Sequence, residues 1–188
     1  MFSGLISSRY FGVVCVISII AFLDQATKYI AIQYLRPVFS VSIIGEFLRL
    51  TYVENPGMAF GIPVANRLLF NGLSIAAILV ILYYMFIFKN NHVLRFAFAL
   101  ILGGAFGNII DRLVRGRVVD FLDVEFFDIY FSGMTFLFWE IPAFSMDRWP
   151  VFNIADMAVT CGMLTVLIMA FFEKPPQVAI SEAPGENA

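Results

Sequence analysis

Four apolar runs, at residues 10–34, 68–88, 93–112 and 151–172, constrain this chain more than anything else in it. Each is close to the roughly 20 residues that a helix needs to cross a hydrocarbon core. Lipid offers no partner for a bare backbone, so the runs predict four transmembrane helices. Composition agrees, with 61% of residues apolar and 14% charged. Twenty-two phenylalanines would overfill the core of a soluble domain this small, whereas lipid can solvate them. The first run carries Asp24 and Lys28 and has no convincing small-x-small cleavage site, so it is read as a retained helix rather than a leader.

The segments between the runs are unequal. Residues 36–65 contain Phe47-Leu48-Arg49-Leu50-Thr51-Tyr52-Val53, whose period of two predicts a small β-rich surface subdomain between the first and second helices. Residues 89–92 form a tight connection. Residues 113–150, rich in aromatics and acids and bearing Trp139 and Trp149, suit an interfacial segment between the third and fourth helices. The expected architecture is an all-α membrane protein with one domain over residues 1–172. The polar, proline-bearing stretch 173–188 is expected to be a disordered tail.

Parity puts both long connections on one membrane face, and both termini and the 89–92 turn on the other. A bare count of lysines and arginines favours the long-loop face as cytoplasmic, because it holds Arg36, Arg49, Arg67, Arg112, Arg115, Arg117 and Arg148. Charge alone leaves the orientation open. The net charge of -2, with no basic run, gives no reason to expect a nucleic-acid partner. Cys15 and Cys161 lie in apolar runs without metal-ligand spacing and read as small buried hydrophobes.

The polar residues inside or beside the runs carry the chemistry. In DQATK, Asp24 and Lys28 are four apart and share a helix face, as a structural ion pair or as part of a site. In VENPGMAFG, Asn55-Pro56-Gly57 reads as a turn, either a plain tight loop or one shaped for close approach to a substrate. In GGAFGNIIDR, Gly103 and Gly107 are spaced for close helix packing, while Asn108 shares a face with Asp111 and Arg112. Asp120 follows in RVVDF. FNIAD begins the fourth helix and sets Asn153 three residues before Asp156. An aspartate at that depth is costly unless it is paired or protonated.

Aspartates gathered at one membrane face suggest paired-carboxylate chemistry. Two close carboxylates share a proton, so one can act as base on a water while the other polarises a carbonyl. The single histidine, His92, falls on the opposite face, which excludes a Ser-His or Cys-His pair at this one. Zinc would lack nitrogen and sulfur ligands there, although an all-oxygen Mg²⁺ or Ca²⁺ site stays possible. A transporter relaying protons or cations through Asp24, Asp111 and Asp156 is a rival reading, but no polar path crosses the second and third runs. A structural subunit would account for the glycines and leave the aspartates unexplained.

DQATK (24–28), NPGMAFG (55–61), GGAFGNIIDR (103–112), VVDF (118–121) and FNIAD (152–156) resemble, in this order, the motifs of the lipoprotein signal peptidases, or signal peptidase II. The resemblance implies an intramembrane aspartic endopeptidase of the bacterial inner (cytoplasmic) membrane, without metal or other cofactor and functioning as a monomer. Its substrates would be diacylglyceryl-modified prolipoproteins in membrane lipid, cut on the amino side of the lipidated cysteine. By motif, Asp120 and Asp156 would be catalytic. Asn108, Asp111, Arg112 and Asn153 would line and orient them, and Asn55 and Gly57 would belong to a cradle over the substrate. Asp24 and Lys28, with Gly103, Gly104 and Gly107, would support the structure. Family topology places both termini and the 173–188 tail in the cytoplasm and the site near the outer face, against the arginine count.

The spacing departs from the family pattern at one place. Thirty-six positions separate Asp120 from Asp156, more than is usual, and five acids lie between them: Asp123, Glu125, Asp128, Glu140 and Asp147. Asp123 is the acid most easily mistaken for Asp120. The added residues are expected to form an interfacial flap that screens or guides substrate.

Overall fold

The computed structural model describes residues 8–56, 67–126, 128–136 and 139–172. Gly57 and the 173–188 tail lie outside the described residues. Helix α1 covers Ser8–Ile30 and runs into a π-helical turn at Ala31–Leu35. Strands β1 (Ser40–Ile44) and β2 (Leu48–Asn55) follow, then α2 (Arg67–Ile87) and α3 (His92–Val114). Strand β3 (Val118–Val124) leads into four short strands, β4 (Ile129–Phe131), β5 (Met134–Phe136), β6 (Trp139–Ile141) and β7 (Phe144–Met146). Helix α4 covers Ile154–Phe172.

Among the described residues, three helical stretches are long and apolar enough to cross a membrane: Tyr10–Leu35, His92–Val114 and Ile154–Phe172. In the second helix the apolar stretch is shorter, Asn71–Ile87. Helix α3 is the centre of the bundle, with 56% of its apolar window buried against 11% for the first stretch and 17% for the last. Leu102, Ala97 and Ala99 of α3 are fully enclosed, whereas Phe22, Leu68, Phe171 and Phe172 project outward. That inverted surface suits hydrocarbon surroundings, where outward phenylalanines cost nothing.

Glycines set how closely the helices meet. A side chain at Gly103 would come within 2.8 Å of Ile20 in α1, and one at Gly162 within 2.6 Å of the Ala97 carbonyl. Gly104 faces the Ala155 carbonyl of α4, and Gly107 faces the Asp24 carboxylate of α1. The glycine strip therefore serves two neighbours, α1 and α4, rather than one, and Gly162 completes it from the α4 side.

The β-rich part differs from its expected layout. Strands β1 and β2 do lie between the first two helices, but their sheet has the order β1-β2-β3, fully antiparallel. Its third strand comes from the connection after α3, so both long connections build one sheet. Gly116, at φ +73°, makes this possible by turning the chain out of α3, with its N–H on the Arg112 carbonyl at 3.2 Å. Strand β3 is buried along almost its whole length, and Val119 and Phe121 pack with Ala31, Leu35 and Tyr52.

Much of the 113–150 segment is strand. Strands β5 and β6 pair, and β4 pairs with β7 outside them, making a nested hairpin. Its base is clasped. Leu122 N–H donates to the Phe152 carbonyl at 2.8 Å, Phe152 N–H returns to Leu122 at 3.0 Å, and Trp149 N–H reaches Val124 at 3.2 Å. The chain leaves the sheet at residue 124 and comes back beside it, so β3 and the start of α4 are adjacent whatever the length between them.

Candidate active site

The polar residues at the β3 end of the bundle form two connected layers. The deeper one is centred on Lys28 of α1, which is fully buried. Its ammonium meets Asp24 Oδ2 at 2.8 Å, Asp111 Oδ2 at 3.0 Å and Asn108 Oδ1 at 2.9 Å. An ammonium has three protons, and each has an acceptor. The pair inside α1 follows from i,i+4 spacing; the reach to α3 requires the close approach at Gly107.

Both carboxylates of this layer tie down further backbone. Asp24 Oδ1 accepts the Ala155 N–H in the first turn of α4 at 2.9 Å, so an acid of one helix caps the start of another. Asp111 Oδ2 accepts the Val119 N–H at 3.0 Å, which fixes the residue before Asp120. Asp111 Oδ1 accepts Gln25 Nε2 at 3.1 Å and an ion pair from Arg115. With Asp24 and Asp111 balanced by Lys28 and Arg115, the layer is formally neutral.

The upper layer holds the two remaining aspartates. Asp120, on β3, is buried; its Oδ1 accepts Asn153 Nδ2 at 2.6 Å and its Oδ2 accepts Asn55 Nδ2 at 3.2 Å. Asp156, in the first turn of α4, is partly exposed; its Oδ1 accepts Asn108 Nδ2 at 2.8 Å. Asn153 and Asp156 also form a reciprocal cap. The Asp156 N–H donates to Asn153 Oδ1 at 3.0 Å, and the Asn153 N–H donates to Asp156 Oδ2 at 3.3 Å. Asn153 thus touches both aspartates, one through its side chain and one through its backbone. It sits at the cap position, one residue ahead of the helix it was expected to begin.

These surroundings act on Asp120. Burial, followed by the negative charge of Asp156, pushes its carboxyl up to about 7. The Asn55 and Asn153 amides and the Lys28 charge pull in the other direction. The result is a carboxyl that can keep a proton near neutral pH beside a second carboxylate.

Other expected members are placed differently. Asn55, read as part of a surface turn, ends β2 and bonds Asp120 directly. Arg112 reaches Ser74 Oγ of α2 at 3.4 Å, and its charge acts on Asp156, Asp111 and Asp120. Asp123 lies on the far side of β3, bonded by Thr51 Oγ1 at 2.7 Å and by Arg148 Nε at 2.8 Å. Asp123 is three positions after Asp120, and odd spacing along a strand puts side chains on opposite faces. Gln25 and Arg115 were missed. The i,i+4 spacing of Asp111 and Arg115 could have revealed the arginine, whereas nothing in the sequence marks Gln25. Among the described residues, no three His, Cys, Asp or Glu side chains form a group that could hold a metal ion.

Comparison with known proteins gives a consistent result. Residues 16–172 match the family model described as signal peptidase (SPase) II. The lipoprotein signal peptidase of Caldanaerobacter subterraneus subsp. tengcongensis is 36% identical over 160 residues, covering 85% of this chain and 96% of the relative. That of Chlorobaculum tepidum is 41% identical over 160 residues, covering 82% and 89%. A solved structure described as a bacterial membrane enzyme superposes with a TM-score of 0.67 at 27% identity, over 94% of each chain. A second of the same description gives 0.65 at 28% identity, over 87% of this chain and 94% of that one.

Proposed function

Since this chain belongs to the signal peptidase II family and is therefore a peptidase with membrane-capable helices, we propose that it is an aspartic endopeptidase acting within the membrane on lipid-modified prolipoproteins. It cleaves diacylglyceryl-modified precursors on the amino side of the lipidated cysteine, with Asp120 and Asp156 as the catalytic residues. One observation carries this reading: Asn153 bonds both aspartates, and of the two Asp120 is the more deeply buried.

In the proposed reaction Asp120 holds the shared proton. Asp156, which accepts from Asn108 in the first turn of α4, is the base. Asp156 takes a proton from water as the water oxygen bonds to the scissile carbonyl carbon. Asp120 gives its proton to the carbonyl oxygen, forming a gem-diol. The C–N bond then breaks as the proton on Asp156 passes to the leaving nitrogen. A gem-diol hydroxyl returns its proton to Asp120 as the new carboxyl forms, and the dyad is restored.

The remaining residues act through the dyad. Asn108, Asn153 and Asn55 orient the carboxyls, Arg112 supplies positive charge beside them, and Asp111, Asp24 and Lys28 hold β3, α1 and α4 in place. Gly57 belongs to the cradle over the substrate. All four helices span the bilayer as one domain that functions as a monomer. Both termini are cytoplasmic and the dyad lies near the outer face. Acyl chains of the substrate keep its cleavage site at headgroup depth, where the dyad waits. Incubation with a lipidated prolipoprotein, followed by mass analysis of both products, tests the reading. The mature product should begin at the lipidated cysteine; cleavage elsewhere, or none, would refute the proposal.

A further inference from the structure

At the end of the bundle away from the aspartates, a cavity of ≈380 Å³ opens between α1 and α3. Its walls include Gly12, Val13 and Val16 of α1 and Phe96 and Ala99 of α3, and its polar lining is His92 and Arg95. Arg95 is only 5% exposed, and among the described residues its Nε and Nη1 have no hydrogen-bond partner. Its Nη2 lies 2.6 Å from His92 Nδ1. A guanidinium can only donate, so His92 Nδ1 is the acceptor and the ring proton sits on Nε2 as a further donor. A buried cation without a counter-charge is costly, and a fold that keeps one has a partner for it.

The start of α3 is not itself the attraction. Asn91 already accepts the Val93 and Leu94 N–H groups, both at 3.1 Å. The open donors belong to the arginine. Sixteen residues separate Arg95 from Asp111 along α3, or about 24 Å of helix, close to the thickness of a hydrocarbon core. Arg95 therefore lies at headgroup depth on the face opposite the dyad.

We propose that this cavity binds an anionic phospholipid, with its phosphate on the edge of the Arg95 guanidinium not turned to His92 and on the His92 Nε2–H, and an acyl chain along Val13, Val16 and Phe96. Both parallel N–H edges of a guanidinium include Nη2, whose two protons point one to each edge, so the His92 bond leaves one edge whose two donors match two phosphate oxygens. The apolar walls favour a lipid phosphate over a free one, and the Arg95 charge, without an acidic partner among the described residues, favours an anionic headgroup over a zwitterionic one. The site is separate from the dyad and independent of the proposed reaction.

The test follows the Tm of the full chain in nonionic detergent as phosphatidylglycerol, phosphatidylcholine or inorganic phosphate is added. Phosphatidylglycerol should raise Tm in proportion to the logarithm of its concentration once the site is saturated, and the other two should leave it unchanged. Arg95→Met should lose the shift. So should Gly12→Leu, which fills the cavity from a position where an added side chain has open space and should not disturb folding. If Arg95→Met does not fold, Gly12→Leu decides alone. An equal shift with phosphatidylcholine, or a full shift in Gly12→Leu, overturns the proposal. The same shift with inorganic phosphate overturns the lipid and leaves a soluble anion as the ligand.

Discussion

Asp120 shows how one residue's surroundings set its chemistry. Its carboxyl titrates at about 7 in the fold against 3.8 in an unfolded chain, so the folded protein holds the extra proton between those values. Stability from this group is therefore full below pH 3.8 and is lost as pH rises through about 7. Two outcomes follow. Cleavage should decline above pH 7 as the shared proton leaves, and Asn55→Ala, which removes a bond favouring the charged form, should move that decline to higher pH. Asp120→Asn, permanently uncharged, should unfold at a higher temperature than the natural protein at pH 8, with the difference shrinking toward pH 4. A pH series of Tm and of initial rates checks both. Lys28 is the corresponding structural residue. Replacing it with Met leaves Asp24 and Asp111 buried beside each other, which should cost about 3–5 kcal/mol of stability in a denaturation assay.

Among the elements, α3 and β3 do the positioning. Helix α3 gives its glycines to α1 and α4 and its polar end to the site; β3 carries Asp120 and is fastened by Asp111 at one end and by Phe152 further along. Gly104→Ala should destabilise by about 1–3 kcal/mol, because the added methyl meets the α4 backbone. Gly72→Ala, on an open face of α2, should not. The hairpin β4–β7 is a separate matter. Because Leu122, Val124, Trp149 and Phe152 close its base, replacing residues 128–147 with a short turn should leave the fold and dyad intact. We propose that the hairpin is the flap expected of the added residues and guides substrate, so the shortened enzyme should show KM raised roughly tenfold, or about 1.4 kcal/mol of lost contact. Unchanged cleavage would reject that role. The hairpin's strands were hard to read from sequence because each is three residues long and outward-facing, without a buried face to impose alternation. The helices were legible because lipid demands long apolar runs, and their observed ends fall within a few residues of those expected.

For the whole molecule, the polar residues marked by the five motifs do gather at one end of the bundle, apart from Gly57, which lies outside the described residues. Spacing along a helix could group Asp24 with Lys28 and Asn108 with Asp111. It could not show Lys28 bridging α1 to α3, Asn55 bonding Asp120, or Arg148 engaging Asp123, since those contacts exist only once the sheet has formed from both long connections. The central claim is that a fold bringing together residues 36 positions apart makes Asp120 and Asp156 a single proton-sharing unit. Its most direct test is cleavage of a lipidated prolipoprotein by Asp120→Asn, Asp156→Asn and Asp123→Asn, each first verified to be folded by its Tm. The first two should show no product and the third most of the natural rate. Full cleavage by Asp120→Asn or Asp156→Asn would contradict the account.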